Sequence, residues 1–240
     1  MFNMVGKISI IIPVYNEEVY LDRCLKNVFQ VKIPGWEKEI IVVNDGSTDS
    51  TSALLKKISL VHPLIKIISS LKNQGKGNAI KKGIREATGD IVIIQDADLE
   101  YDPDDYLIIL KQFTDNKVDV VYGSRILGAK IYHNQNANIF FLWGGMTLTT
   151  IVNLFFGTHL TDQPTCYKSW RKKLSTGLTE YCQSKGFEFE IEMTAFFAKN
   201  SKINEVPIRY YPRTVHHGKK INLSDFFKSV LTVFKCKTRR

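Results

Sequence analysis

Along the first half of the chain, short continuous apolar runs alternate with stretches of helical spacing. Ile8 to Pro13 is a run of the kind buried on both faces of a sheet. Leu21, Cys24, Leu25, Val28 and Phe29 then recur at the i, i+3, i+4 intervals of an amphipathic helix. The alternation continues with a strand at Ile40 to Val43, a helix carrying Leu54, Leu55, Ile58 and Val61, and a strand at Ile65 to Ile68. Ala79, Ile80, Ile84 and Ala87 mark a helix before Gly89, and Ile91 to Ile94 is the next strand. Asp102-Pro103 opens another helix, because Asp caps a helix and Pro fits its first turn, and Val118 to Tyr122 follows as a strand. Strand runs separated by helices predict an α/β fold, a mostly parallel sheet flanked by helices and joined by right-handed crossovers, with ligands at the carboxyl ends of the strands.

The second half breaks this rhythm. Between Lys130 and Asp162 there is no Asp, Glu, Lys or Arg, and Ile139 to Gly157 is largely apolar. Its length reaches the roughly 17 to 25 residues of a spanning helix. Gly144-Gly145, Thr147, Thr149, Thr150, Asn153 and Gly157 dilute it, however, while Leu148, Ile151, Val152 and Phe155 keep helical spacing. The expectation for 131–161 is an uncharged helical segment lying in a membrane interface or packed on the core, in preference to a span. From Leu223, the residues Phe226, Phe227, Val230, Leu231 and Phe234 form a second stripe, with Lys228, Lys235, Lys237, Arg239 and Arg240 off it or beyond it. That basic amphipathic helix reads equally as a membrane-surface anchor or as a terminal helix docked on the domain.

Composition fits a globular chain with a real core: 240 residues, 44% hydrophobic and 24% charged. The formal charge of +9 is concentrated at one end, since Gly218 to Arg240 holds seven Lys or Arg against the single acid Asp225. Such a tail suits anionic lipid headgroups or nucleic acid. Cys24, Cys166, Cys182 and Cys236 are scattered, and no apolar leader precedes the first strand. Both features point to the cytoplasm and to cysteines that serve as small core residues.

Chemistry gathers where the strands end. Asn16-Glu17, Asn44-Asp45-Gly46-Ser47, Asp96 to Asp98 and Gly123-Ser124-Arg125 each follow a β run directly. Asp96 and Asp98 stand one residue apart, so an extended chain points both the same way, with Glu100 on the same parity. Oxygen ligands of this kind suit a hard divalent ion, Mg2+ or Mn2+, which also contacts phosphate oxygens. Tyr15 can stack on a base and Asp45 can accept hydrogen bonds from a base or ribose. Gly75 and Gly77 permit close backbone approach, and Lys76 offers charge beside a helix N-terminus. Taken singly, each motif is also ordinary turn and capping chemistry.

Together, from about Ile8 to Asn222, these motifs resemble the family-two glycosyltransferases of GT-A (Rossmann-like) fold, and within them the dolichol- or polyprenyl-phosphate sugar synthases. The back half discriminates: Gly123-Ser124-Arg125, Leu160-Thr161-Asp162, Thr165-Cys166-Tyr167-Lys168, Glu205-Val206-Pro207-Ile208, then Tyr211, Arg213, Gly218 and Lys219. The resemblance implies a catalytic domain over 1–222, containing the uncharged 131–161 segment, and a basic tail over 223–240. It implies a nucleotide-sugar site of Pro13, Tyr15, Glu17, Val43, Asp45, Lys76, Asp96, Ala97, Asp98, Arg213 and Lys219. Metal ligation falls to Asp98 and Glu100 with Asp96, acceptor-phosphate binding to Arg125, Arg213 and Lys219, and the catalytic group is Asp96, Asp98 and Arg125. Departures from the family are Glu100 where Gln is frequent, and Gln163-Pro164 before the Thr-Cys-Tyr-Lys motif. His216 and His217 fall in the loop that carries Lys219 and read as solvent-facing.

The implied activity is inverting transfer of a sugar from a GDP- or UDP-sugar to a polyprenyl or dolichyl phosphate at the cytosolic face of a membrane. A lipid phosphate is already anionic near neutral pH, so the nucleophile needs no side-chain base. The rival enzyme reading is transfer to a hydroxyl of a polysaccharide or lipid-linked glycan, which demands one. A basic nucleic-acid-binding protein is the non-enzyme rival. It is disfavoured because the basic excess is terminal and the acids cluster at strand ends.

Overall fold

The computed structural model describes residues 6–134, 139–213 and 223–239. The expected alternation is present as β1 (Gly6–Val14), α1 (Leu21–Gln30), β2 (Trp36–Asn44), α2 (Thr51–Val61), β3 (Lys66–Ser69), α3 (Lys76–Glu86), β4 (Ile91–Ile94), α4 (Tyr106–Gln112) and β5 (Val120–Ser124). The Asp102 side chain caps the short 3-10 turn Pro103–Asp105 that leads into α4, accepting from the Asp104 amide. After β5 come α5 (Arg125–Tyr132), α6 (Ile139–Phe156), β6 (Lys168–Arg171), α7 (Ser175–Tyr181), α8 (Phe189–Asn200), β7 (Ile203–Pro207) and α9 (Leu223–Thr238).

Among the described residues seven strands form one sheet in the order β3-β2-β1-β4-β6-β5-β7. All neighbours run parallel except β6, which is antiparallel to both β4 and β5. The sheet is therefore mostly parallel, as expected, and flanked by helices. β1, β2 and β4 are buried on both faces; Ile8, Ile10, Ile11, Ile12, Ile41, Val42, Ile91 and Ile93 are fully enclosed. β6 carries no hydrophobic signature, yet its Lys168, Ser169 and Trp170 are fully buried because each polar atom is paired.

Among the described residues no helix is long and apolar enough to cross a membrane. α6 lies against α8 and α9, with Leu148, Val152, Ile191 and Val233 in a small core of their own. Docking of α9 is thus realised through Val233 and Cys236, which are fully buried. It leaves Phe227, Leu231 and Phe234 at least half exposed. On α6, Trp143, Met146 and Leu154 are likewise exposed. The Phe155 and Phe234 rings meet edge to face at 4.8 Å, so the two exposed stripes adjoin.

One polar knot pins the amino-terminal edge. Glu39 of β2 accepts from Ser9 Oγ at 2.5 Å, Lys66 Nζ at 2.7 Å, Thr88 N at 2.7 Å and Thr88 Oγ1 at 2.8 Å. Burial alone would raise its pKa, but these donors outweigh it and hold the carboxyl at about 2, against an ordinary 4.5. A depressed folded pKa contributes stability that is complete above about pH 4.5 and lost as pH falls towards 2. Glu39→Gln is expected to lower stability near neutral pH by roughly 1–2 kcal/mol. Urea unfolding at stepped pH should also show a flatter acid limb; an unchanged limb would place the acid sensitivity elsewhere.

Candidate active site

A cleft of about 930 Å³ opens at the carboxyl ends of β1, β2 and β4, where parallel sheets present their ligand sites. Its lining includes Pro13, Tyr15 and Asp45, the charged groups Asp96, Asp98, Glu100, Arg125 and Arg213, and the apolar Leu148, Phe187, Ile191 and Phe226.

The loops after β1 and β2 are bound to each other. Asn16, in the left-handed conformation at φ 51°, accepts from the Thr48 amide at 2.8 Å and donates its own amide to Ser47 Oγ at 3.0 Å. Asp45 Oδ2 accepts from the amides of Gln74 at 2.8 Å and Gly75 at 2.7 Å, which fixes the carboxylate against the start of α3. Its Oδ1 is buried and finds no hydrogen-bond partner among the described residues, an open acceptor that a ligand donor would satisfy. Gly75 sits at φ 97°, and a Cβ there would strike the Lys185 carbonyl, so only glycine lets the 185–186 turn close onto α3. Val43, by contrast, is fully buried in β2 opposite Pro13 and does not line the cleft.

The acidic motif differs in shape from its expected extended course. Residues 97–99 make a turn with Leu99 left-handed at φ 63°, and the Glu100 amide donates to Asp98 Oδ1 at 3.1 Å. Strand parity therefore does not align the three acids; the turn separates their roles. Asp96 pairs with Lys76 at 2.9 Å. Asp98 pairs with Arg213 at 2.9 Å. Glu100 staples the segment after β7, accepting from Tyr210 Oη at 2.8 Å and from the Arg213 amide at 2.9 Å. Burial first, then the Asp96 and Glu100 charges, push the Asp98 carboxyl up to about 7 despite Arg213. That excess of negative charge on oxygen donors is what a hard divalent cation relieves. Among the described residues no three His, Cys, Asp or Glu side chains converge to enclose an ion. The donor set nonetheless fits Mg2+ or Mn2+, which take one or two carboxylates and complete their shell with phosphate and water.

Arg125 is locked. Its backbone N, Nε and Nη2 donate to Asp162 at 2.7–2.8 Å, Nη2 also reaches the Pro164 carbonyl at 3.2 Å, and the guanidinium lies 5.1 Å from the Tyr210 ring centre. Asp162 is in turn held by Glu205, which accepts from the amides of Thr161 and Asp162. Lys219, with Gly218, His216 and His217, lies outside the described residues.

The sequence reading missed Glu190. This α8 carboxylate accepts from Lys76 Nζ at 2.9 Å and from the fully buried Lys168 Nζ at 3.1 Å. Burial would raise it, but Lys168 and Lys76 hold it at about 2. Phe187, Phe189 and Ile191 alternate with Glu188, Glu190 and Glu192, a strand-like pattern inside what folds as the start of a helix. Acids embedded in so apolar a stretch were the available signal. The cleft-lining residues of α6 and α9, Gly144, Leu148, Asp225, Phe226 and Ser229, also escaped assignment to the site.

Residues 9–176 match the glycosyl transferase family 2 model, well over half of the chain, and the protein belongs to that family. It is 32% identical over 169 residues to the uncharacterized glycosyltransferase YkcC of Bacillus subtilis, covering 69% of this chain and 52% of that protein. Identity to the dolichol-phosphate mannosyltransferase of Pyrococcus furiosus is 34% over 126 residues, or 52% of this chain and 35% of that one. A Methanococcus voltae UDP-N-acetylglucosamine--dolichyl-phosphate N-acetylglucosaminyltransferase is 29% identical over 219 residues, 84% of each. The chain thus spans about half or less of the first two relatives and most of the third. Among solved structures, glucosyl-3-phosphoglycerate synthase from Mycobacterium tuberculosis bound to UDP matches with a TM-score of 0.68 at 16% identity, over 98% of this chain and 82% of that one. At that identity the likeness establishes the GT-A type of fold.

Asp162→Asn strips Arg125 of its counter-charge and is expected to cost roughly 3 kcal/mol, the scale for breaking one side of a largely buried pair. Denaturant unfolding measures it; an unshifted midpoint would mean that the pair does not hold the 160–164 loop to β5.

Proposed function

We propose that the protein transfers a sugar from a nucleotide-sugar donor to a polyprenyl-type lipid phosphate, with inversion at the anomeric carbon. One observation carries the reading: a single cleft is lined both by the charged groups Asp45, Asp96, Asp98 and Arg213 and by the apolar Leu148 of α6 and Phe226 of α9. A donor diphosphate suits the charged lining and a phosphate on a hydrocarbon chain suits the combination of charge and apolar wall. The dolichyl-phosphate transferases among the relatives support the same acceptor, and Mn2+ and UDP in a structural neighbour support the donor side.

Asp45 would take the nucleoside and Tyr15 would stack on it. Lys76, at the start of α3, would sit beside the diphosphate. Asp98 and Glu100, with Asp96 adjacent, would hold Mg2+ or Mn2+, whose charge opposes that of the departing nucleotide. Arg125, rigid in its Asp162 bracket, would present fixed positive charge to the acceptor phosphate. Lys219 belongs to the same expectation. Glu190 would not act as a base: with its pKa near 2 it stays ionised between two lysines. A phosphate nucleophile requires no base, which favours it over a hydroxyl acceptor. Catalysis would rest on alignment and charge stabilisation.

A panel of GDP- and UDP-sugars with polyprenyl phosphate and Mg2+ or Mn2+ should give a β-linked lipid-phosphate sugar from one α-linked donor. Asp98→Ala should abolish it without unfolding the protein. An α-linked product, transfer only to glycan hydroxyls, or substantial Asp98→Ala activity would each reject part of this assignment.

The exposed stripes of α6 and α9, flanked by Lys228 and Lys235, are proposed to rest on an anionic membrane surface. Phe227→Ser with Leu231→Ser, both exposed and so neutral for folding, should weaken sedimentation with phosphatidylglycerol vesicles by roughly tenfold or more. Undiminished binding would remove α9 from the membrane contact.

A further inference from the structure

Arg213 stands where a cation would. Its guanidinium meets three carboxylates from two separate loops: Asp98 Oδ2 at 2.9 Å, Glu17 Oε2 at 3.7 Å and Glu100 Oε1 at 3.7 Å. It is 13% exposed, lies 5.2 Å from the Tyr20 ring centre, and is anchored by its own backbone amide on Glu100. Acids, an aromatic face and the chain surround it, while its buried Nε has no hydrogen-bond partner among the described residues.

We propose that Arg213 is a tethered cation that holds the acidic subsite closed to free metal, so that a divalent ion enters with the nucleotide diphosphate and not ahead of it. The proposal rests on the donor reading above and adds an order of binding to it. Three carboxylates crowded into a half-buried space repel one another, and among the described residues Arg213 is the positive charge that meets all three. A guanidinium and a divalent ion cannot both occupy the space between Asp98 and Glu100, so each excludes the other. A free ion must therefore displace a guanidinium from three acids and lose its own hydration, which Mg2+ gives up reluctantly. A diphosphate changes the balance. It offers the planar fork of Arg213 new oxygen acceptors while supplying the ion with further ligands. The same residue then serves in both states, as a surrogate for the metal before the donor arrives and as a phosphate contact afterwards. Lys76 repeats the arrangement on Asp96, where it is further restrained by Glu190.

The test measures Mn2+ binding to the full chain by electron paramagnetic resonance of free Mn2+, with no substrate and with UDP or GDP. Without nucleotide, Arg213→Gln is expected to bind Mn2+ about tenfold more tightly than the wild type, the scale of one lost charge-assisted contact. With nucleotide, the wild type should gain far more Mn2+ affinity than the variant, because only it has an arginine to hand over. Equal or weaker Mn2+ binding by Arg213→Gln without nucleotide overturns the proposal. Tyr20→Leu, which removes the aromatic seat and leaves every acid in place, is the second variant. It should tighten Mn2+ binding in the same direction by a smaller factor, and no change there also counts against the device. If UDP and GDP both fail to bind the wild type, the donor reading fails, while the nucleotide-free comparison still decides whether Arg213 guards the site.

Discussion

Lys76 lies between two carboxylates, Asp96 after β4 and Glu190 on α8, and Glu190 passes the charge on to Lys168 at the start of β6. This line of alternating charges is almost wholly out of water; Lys168 is fully buried and Lys76 is 18% exposed. Such a line is stable only complete, because removing any member strands a buried charge. It joins the parallel front of the fold, β1 to β4, to the inserted antiparallel strand and the helix behind it. Without it the cleft would have one fixed wall. With it, the cleft floor is assembled from elements more than a hundred residues apart, as Lys76 and Glu190 are.

The same logic sets the opposite wall. Glu205 on β7 holds the Thr161-Asp162 turn, Asp162 holds Arg125 at the end of β5, and Arg125 lies against Tyr210. Tyr210 then bonds Glu100, beside the acids that Arg213 neutralises. Each carboxylate is consumed by a donor from a different element, so the charged residues of the cleft are also its cross-links. The site is consequently rigid at Arg125, where the pairing is bidentate at 2.7 Å. It is adjustable at Arg213, where two of the three contacts are long at 3.7 Å.

Local pattern made the front half legible because nothing competes there with hydropathy. Ile91 to Ile94 is apolar throughout and coincides with β4, and Ile8 to Pro13, apolar but for the buried Ser9, lies within β1. β6 was invisible for the opposite reason: Lys168 and Ser169 are core residues only because Glu190 and the Val121 carbonyl meet them, and that depends on tertiary structure. The start of α8 has a strand-like alternation that folds as a helix, so its period does not announce the element. At the site, Asp45, Asp96, Asp98 and Arg125, picked out at strand ends, and Arg213, picked out by the family resemblance, all line one cleft. Parity failed for Glu100, because a left-handed Leu99 is a backbone choice that spacing does not encode. Val43 was chosen by motif position and proves to be core.

Charge distribution along the cleft also limits the chemistry it can perform. A neutral acceptor hydroxyl needs a carboxylate whose proton affinity is near the working pH and whose oxygens face the acceptor. Glu190 lines the cleft but is held near 2 by its two lysines. Asp98 is raised to about 7, yet its elevation comes from burial beside Asp96 and Glu100, and a cation bound among these acids would reverse it. The two carboxylates best placed to act as bases are thus disqualified by their own neighbours, one by lysines and one by the cation its surroundings favour. The same cleft is lined by positive charge, at Lys76 and Arg125, and by the apolar side chains of Leu148, Ile191 and Phe226. That combination is the physical ground for the proposed acceptor, one that brings its own negative charge and its own apolar tail.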